Sequence, residues 1–124
     1  MSKTPIKDYD EIIEVVNKYI EGLVSGKKEV VKPAFHEDAT MYGYNSRDGF
    51  LGGSIRNLWD FMDKSGPAEN LKSRVDILDV EGTIASVRIS LENDAYGDSY
   101  TDFQQLLKID GDWKIISKLF YLHS

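Results

Sequence analysis

Helical spacing in the first half of the chain and two-residue alternation in the second predict an α+β domain, with the change of period near Asn70. Three helices followed by long antiparallel strands are expected, in a single domain covering residues 1–124. A hydrophobic content of 41% is enough to build one core at that length.

Asp8 and Glu11 stand at capping-box spacing, and Asp10, Glu11 and Glu14 suit the positive end of a helix dipole, so the first helix should begin near Tyr9. Behind it Tyr9, Ile12, Ile13, Val16, Ile20, Leu23 and Val24 recur at three- and four-residue steps, and Gly26 supplies a left-handed stop. Lys27 to Phe35 reads as a shorter second helix that Pro33 breaks or restarts, since proline has no N–H to donate. Thr40 to Tyr44 reads as a short strand. Ser54 can cap a third helix carrying Ile55, Leu58, Trp59 and Met62, and Ser65, Gly66 and Pro67 punctuate a loop from Lys64 to Asn70.

Val75 and Ile77 then alternate, Glu81 and Gly82 turn the chain, and Val87, Ile89 and Leu91 alternate again, which makes a hairpin. Tyr100 to Ile109 and Trp113 to Leu122 form a second hairpin around Asp110, Gly111 and Asp112. Pairing Ile109 with Trp113 sets Leu107 against Ile115 and Phe103 against Leu119 on one face. The other face then holds Asp102, Gln104, Leu106, Ile116, Lys118 and Phe120. Apolar side chains on both faces call for two covers, the helices on one side and a second subunit on the other.

A net charge of −6 works against a nucleic-acid partner, because phosphate backbones demand a basic face and Lys27 and Lys28 are too few to make one. The longest apolar runs, such as Leu119 to Leu122, fall far short of the roughly 18 residues of a membrane span. Met1 to Lys7 has no apolar leader core, so a cytoplasmic location without membrane association is the expectation. The absence of cysteine removes disulfides, thiolate nucleophiles and thiolate metal sites. No cofactor motif is present; Gly52-Gly53-Ser54 before a helix is a weak anion signal.

Tyr19-Ile20-Glu21-Gly22-Leu23 and Ala34-Phe35-His36-Glu37-Asp38-Ala39-Thr40 resemble the helix-to-strand opening of the nuclear transport factor 2-like superfamily. Thr101-Asp102-Phe103, Leu106-Leu107-Lys108 and Asp110-Gly111-Asp112-Trp113-Lys114-Ile115 resemble its closing hairpin, closest to the branch labelled putative lumazine-binding. The resemblance implies a cone-like curved antiparallel sheet wrapped around about three N-terminal helices, an apolar pocket and a homodimer. It does not select an activity, since the superfamily holds isomerases, dehydratases, polyketide cyclases, ligand carriers and associative domains. Tyr19 falls where ketosteroid isomerase carries its hydrogen-bonding tyrosine, but Gly43 takes the place of that enzyme's catalytic carboxylate. Isomerisation by that route is therefore not expected.

The candidate ligand-binding residues are the aromatics Tyr19, Phe35, Tyr42 and Trp59, with Met62, and the polar Asp102, Gln104 and Lys118. Tyr19 lies about 90° off the centre of the first helix's apolar stripe at roughly 100° per residue, so its phenol either polarises a ligand or packs. Asp102 and Lys118 interrupt strands that otherwise pack, and either anchor a polar ligand group or form an ion pair at a subunit interface. His36 suits a general base, or a carboxyl-terminal helix cap beside Glu37 and Asp38. His123 is expected to be exposed. No zinc site is expected without a second well-placed histidine, and Asp94, Asp98 and Asp102 miss the spacing of a calcium loop.

Three functions fit these residues. The first is a dimeric domain binding a small hydrophobic or aromatic molecule through an apolar pocket with a few polar anchors. The second is an enzyme of the cyclase, dehydratase or isomerase type using the same pocket, and the third is a protein-association module.

Overall fold

A computed structural model describes residues 4–123, so part of the Met1 to Lys7 stretch lies outside the described residues. The first helix, α1 (Ile6–Ser25), begins after Pro5, whose φ of −63° suits a helix entrance. Asp8 is no cap. It is buried inside the first turn, where its Oδ1 accepts from Lys108 Nζ at 2.9 Å and from Trp113 Nε1 at 3.3 Å, tying the helix to the last hairpin. These contacts, led by the Lys108 hydrogen bond, hold its carboxyl below the usual carboxylate range. Gly26 ends the helix at φ 75° and donates its N–H to the Gly22 carbonyl at 2.8 Å.

The expected second helix shrinks to α2 (Lys28–Val31), because Pro33 tightens Lys32–Ala34 into a 3-10 turn. A Cβ at Gly22 would collide with Val31, so the close approach of α1 and α2 requires glycine there. Strand β1 (Phe35–Asn45) is longer than Thr40 to Tyr44 and pairs with β2 (Gly49–Ser54), a glycine-rich strand that alternation does not reveal. Ser54 Oγ accepts from the Arg56 N–H at 3.1 Å at the start of α3 (Arg56–Ser65). The meander β3 (Lys72–Glu81), β4 (Ile84–Glu92), β5 (Ser99–Ile109) and β6 (Asp112–His123) follows.

The strand order is β2-β1-β6-β5-β4-β3, and β1 runs parallel to β6. Three helices do pack against a sheet, but the sheet is mixed and open, with β2 and β3 as its two edges. The expected cone-like antiparallel sheet is therefore wrong. The reason is topological: the segment carrying α3 takes the chain from the β2 edge to the β3 edge, and four alternating strands then bring β6 back beside β1 in the same direction. Hairpin alternation encodes neighbours in sequence and is blind to this long-range pairing.

A bulge decides what faces the helices. Phe103 pairs with Leu119 as expected, but Leu107 meets Lys114 and Leu106 meets Ile115, with the register shifting between Gln105 and Leu106. The extra residue on β6 turns Trp113, Ile115, Lys118 and Leu122 all inward, where two-residue alternation alone would separate Ile115 from Lys118. Asp102, Gln104 and Leu106 lie on the same buried face of β5. That face packs on Ile12, Val16, Tyr19 and Val31 from the helical layer, with Val87 and Ile89 beside it on β4.

Candidate functional site

A cavity of about 640 Å³ opens between α1, α3, the buried face of the sheet and the loops at 66–71 and 94–96. That volume lies within the ordinary range for a small-molecule site. Leu23, Leu58, Met62, Leu71, Leu91 and Phe120 supply apolar wall, and the exposed Arg47, Asp48, Asp60 and Lys64 form its solvent side. The turn at that mouth is built by Asn45, whose Oδ1 accepts the N–H groups of Arg47 at 3.0 Å and Asp48 at 2.8 Å. Arg47 then reaches Asp98 at 3.3 Å and bridges the β1–β2 turn to the loop before β5.

At the inner end three ionisable groups meet. The Tyr19 hydroxyl donates to Asp102 Oδ2 at 2.7 Å, and Gln104 Nε2 donates to the same oxygen at 3.1 Å. Asp102 Oδ1 has no hydrogen-bond partner and lies 3.9 Å from Lys118 Nζ. The lysine ammonium instead contacts Met41 Sδ at 3.6 Å and the Phe120 ring at 4.7 Å from its centroid. Tyr19, Asp102 and Lys118 are 2%, 1% and 6% exposed, so water does little to screen them. Cross-strand register places them: Asp102 pairs with Phe120 and Gln104 with Lys118, all inward of the bulge.

Burial pushes the Lys118 ammonium below the usual lysine range, and the Asp102 charge opposes this only in part. Burial first, then the Asp102 charge, hold the Tyr19 phenol well above its usual range, and burial lifts Tyr100 to about 12. An unfolded tyrosine ionises near ~10, whereas Tyr19 stays neutral in the folded chain, so its contribution is intact below that pH and is lost as pH rises above it. Lys118 acts with the opposite sign below ~10.4, where the unfolded lysine binds more protons, so the variant must be compared with wild type. Urea midpoints between about pH 9 and 11 should fall less steeply for Tyr19→Phe than for wild type. Equal slopes would contradict the burial of a neutral phenol.

Of the residues singled out from sequence, Tyr19, Met62, Asp102 and Lys118 line the cavity. Gln104 stands behind Asp102 and holds it. Phe35 does not reach the cavity: it packs edge-on to Tyr19 at 5.8 Å and to Trp59 at 5.9 Å, in the core. Trp59 carries Lys32 over its ring at 5.9 Å and is no part of the lining. Tyr42 points to the opposite face of the sheet, against Phe50 at 6.0 Å. His36 caps no helix carbonyl; its Nδ1 accepts the Asp38 N–H at 3.0 Å on β1. His123 is exposed and meets Thr101 Oγ1 at 2.8 Å.

Sequence reasoning missed Met41 and Tyr100, which follow from strand pairing, and the Arg47 bridge, for which Asn45 ahead of Asp48 was the available turn signal. At Gly43 a Cβ would lie 2.5 Å from the Phe120 ring, so that ring fills the space where a proton-abstracting side chain would stand. Among the described residues no three His, Cys, Asp or Glu groups converge to hold a metal.

The family model described as Putative lumazine-binding matches residues 7–121. The chain is 38% identical over 114 residues to Aldolase FrzH of a Cladobotryum species, covering 92% of this chain and 90% of that protein. It is similar to an NTF2-like protein of Methylobacillus flagellatus KT, at 40% identity and a TM-score of 0.90, covering 98% of this chain and 97% of that one. An NTF2-like protein of Shewanella baltica OS155 superposes with a TM-score of 0.91 at 34% identity, covering 99% of both chains.

Proposed function

The chain belongs to the putative lumazine-binding family of the nuclear transport factor 2-like superfamily, and we propose that within it this protein is a carbonyl-activating enzyme of the aldol type. Its substrate is a small ketone or aldehyde with an apolar or aromatic body, and the reaction makes or breaks a carbon–carbon bond next to the carbonyl.

The observation that carries this reading is the buried Lys118–Asp102–Tyr19 set at the inner end of an otherwise apolar cavity. Aldol chemistry needs an electron-withdrawing group on the carbonyl and a base for the α-proton. Lys118 supplies the first. Asp102 supplies the second through Oδ1, because Tyr19 and Gln104 occupy only Oδ2. Tyr19, held neutral, fixes the carboxylate without competing for the proton. The likeness to an aldolase over nearly the whole chain agrees with this chemistry and favours it over a passive carrier.

Retro-aldol cleavage of an aromatic β-hydroxyketone tests the proposal, because the released aldehyde can be followed optically. Cleavage well above the buffer rate is expected, and a rate equal to buffer at saturating ketone would overturn it.

The outer side of the sheet supports a second copy of the chain as its cover. Phe103, Leu119 and Tyr42 line up across β5, β6 and β1, and Phe103, Leu119 and Tyr121 are 46%, 53% and 57% exposed. No helix among the described residues covers this row, which is more apolar than solvent-facing strands usually are. A homodimer burying about 1,600 Å² in total would persist at micromolar concentration. Sedimentation should show a dimer for wild type and a monomer for Leu119→Glu; a monomeric wild type would remove the sheet-interface argument. The −6 charge favours partners other than nucleic acid. No helix among the described residues is long and apolar enough to cross a membrane.

A further inference from the structure

We infer that Lys118 acts covalently, its Nζ condensing with the carbonyl carbon of a ketone or aldehyde in the cavity to form an iminium. This rests on the carbonyl-activating reading above and deepens it, since that reading requires only that Lys118 withdraw electrons from the carbonyl.

Three geometric facts separate this amine from a structural ion-pair lysine. Its Nζ stands 3.9 Å from Asp102 Oδ1, beyond hydrogen-bond distance, although both side chains are buried and sit diagonally across β5 and β6. Its other contacts are a thioether and an aromatic face, neither of which occupies the nitrogen as a carboxylate hydrogen bond would. Finally, it borders the cavity that a ketone or aldehyde would occupy. A lysine tied up for stability would be expected to hydrogen-bond the carboxylate beside it, here Asp102. Burial adds to the geometry by favouring the neutral, nucleophilic amine.

The step balances within the residues present. The ammonium gives a proton to Asp102 Oδ1, and the freed lone pair forms the C–N bond while the carbonyl π pair moves to oxygen. One proton passes from nitrogen to that oxygen to give a carbinolamine. Asp102 then returns its proton to the hydroxyl, the C–O bond breaks, and water leaves with the C=N bond formed. The resulting cation rests over the Phe120 face and beside the regenerated carboxylate. That carboxylate is placed to take the α-proton, giving the enamine that attacks or is released by the aldehyde partner. One water restores the amine at the end, so no oxidant, reductant or metal is needed.

The substrate class follows from the shape of the site. The reacting carbonyl must be reached at the inner end, between Met41, Phe120 and Asp102, with the apolar body along Leu58, Met62 and Leu91. A carboxylate beside the carbonyl would meet Asp102 with no cation left to balance it, so unfunctionalised ketones and aldehydes are favoured over keto acids.

The test uses 2,4-pentanedione, which reacts with a neutral lysine amine to give a stable, near-ultraviolet-absorbing enaminone. Wild-type protein at neutral pH should gain one adduct per chain with the mass of the diketone less one water, and peptide mapping should place it on Lys118. Mapping of the wild-type chain makes this arm independent of how any variant folds. A map showing adducts only on surface lysines would overturn the inference. Cleavage of the β-hydroxyketone separates it from the broader reading. Lys118→Arg keeps the charge but cannot form the iminium, so its rate should fall by at least about a hundredfold. Lys118→Arg cleavage within about tenfold of wild type would overturn covalent catalysis and leave carbonyl activation standing. A wild type that neither forms the adduct nor cleaves the ketone would overturn both.

Discussion

Exchanging Asp102 for asparagine is expected to slow retro-aldol cleavage by about a hundredfold to ten-thousandfold, the usual worth of a positioned general base. Asparagine is nearly isosteric and its amide oxygen can still accept from the Tyr19 hydroxyl, which reaches Asp102 Oδ2 at 2.7 Å in the wild-type chain. The cavity walls do not change. What disappears is the basic oxygen beside Lys118, the one carboxylate oxygen at the inner end that no protein group occupies. The loss should fall on kcat more than on KM, since the residue acts on the transferring proton rather than on the ligand's apolar body. An Asp102→Asn enzyme within a factor of about three of wild type would show that the base is elsewhere.

Truncating the same residue to alanine should produce a different failure, a loss of about 3–5 kcal/mol in folding stability. Asp102 is 1% exposed, accepts hydrogen bonds from both Tyr19 and Gln104, and is the counter-charge of Lys118. Alanine leaves a buried hydroxyl, a buried amide and a buried amine without the carboxylate they share. For a domain of this size the cost would be a large part of a total of about 5–15 kcal/mol. Urea unfolding with an unchanged m-value checks it, and a loss below about 1 kcal/mol would mean that Asp102 is not the hub of the polar cluster.

Local rules make much of the fold legible. The apolar stripe of α1, its Gly26 stop, the two hairpins and the loop after Lys64 all depend on contacts three to a few residues apart, which spacing encodes directly. Expectation and fold part where a distant region of the chain decides the outcome. Asp8 has the spacing of a cap, yet Lys108 and Trp113, a hundred or more residues away in the chain, draw it into the interior. The parallel β1–β6 pairing and the edge strand β2 leave no local period, so spacing points only to antiparallel strands and the resemblance to a cone-like sheet, where the chain builds a mixed, open one. The bulge on β6 shifts Leu106 and Ile115 by one place against the expected register.

The polar end of the cavity is more legible than its walls, for a physical reason. A charged residue inside a packing strand is anomalous wherever the strand goes, and Asp102 and Lys118 stand out in the bare sequence on that ground. Aromatic residues carry no such signal, because core, cavity and interface all use them. Phe35 and Trp59 go to the core and Tyr42 to the outer face, while Tyr100 and Phe120, with the same composition cues, line the cavity.

The central claim is that this cavity activates the carbon next to a carbonyl, and α-proton exchange measures that step without requiring the natural substrate. Incubated in D2O with an excess of cyclohexanone and followed by proton NMR, the wild-type chain should exchange the ketone's α-protons well above the buffer rate, and Asp102→Asn should not. Exchange at the buffer rate with saturating ketone and folded wild-type protein would contradict the account.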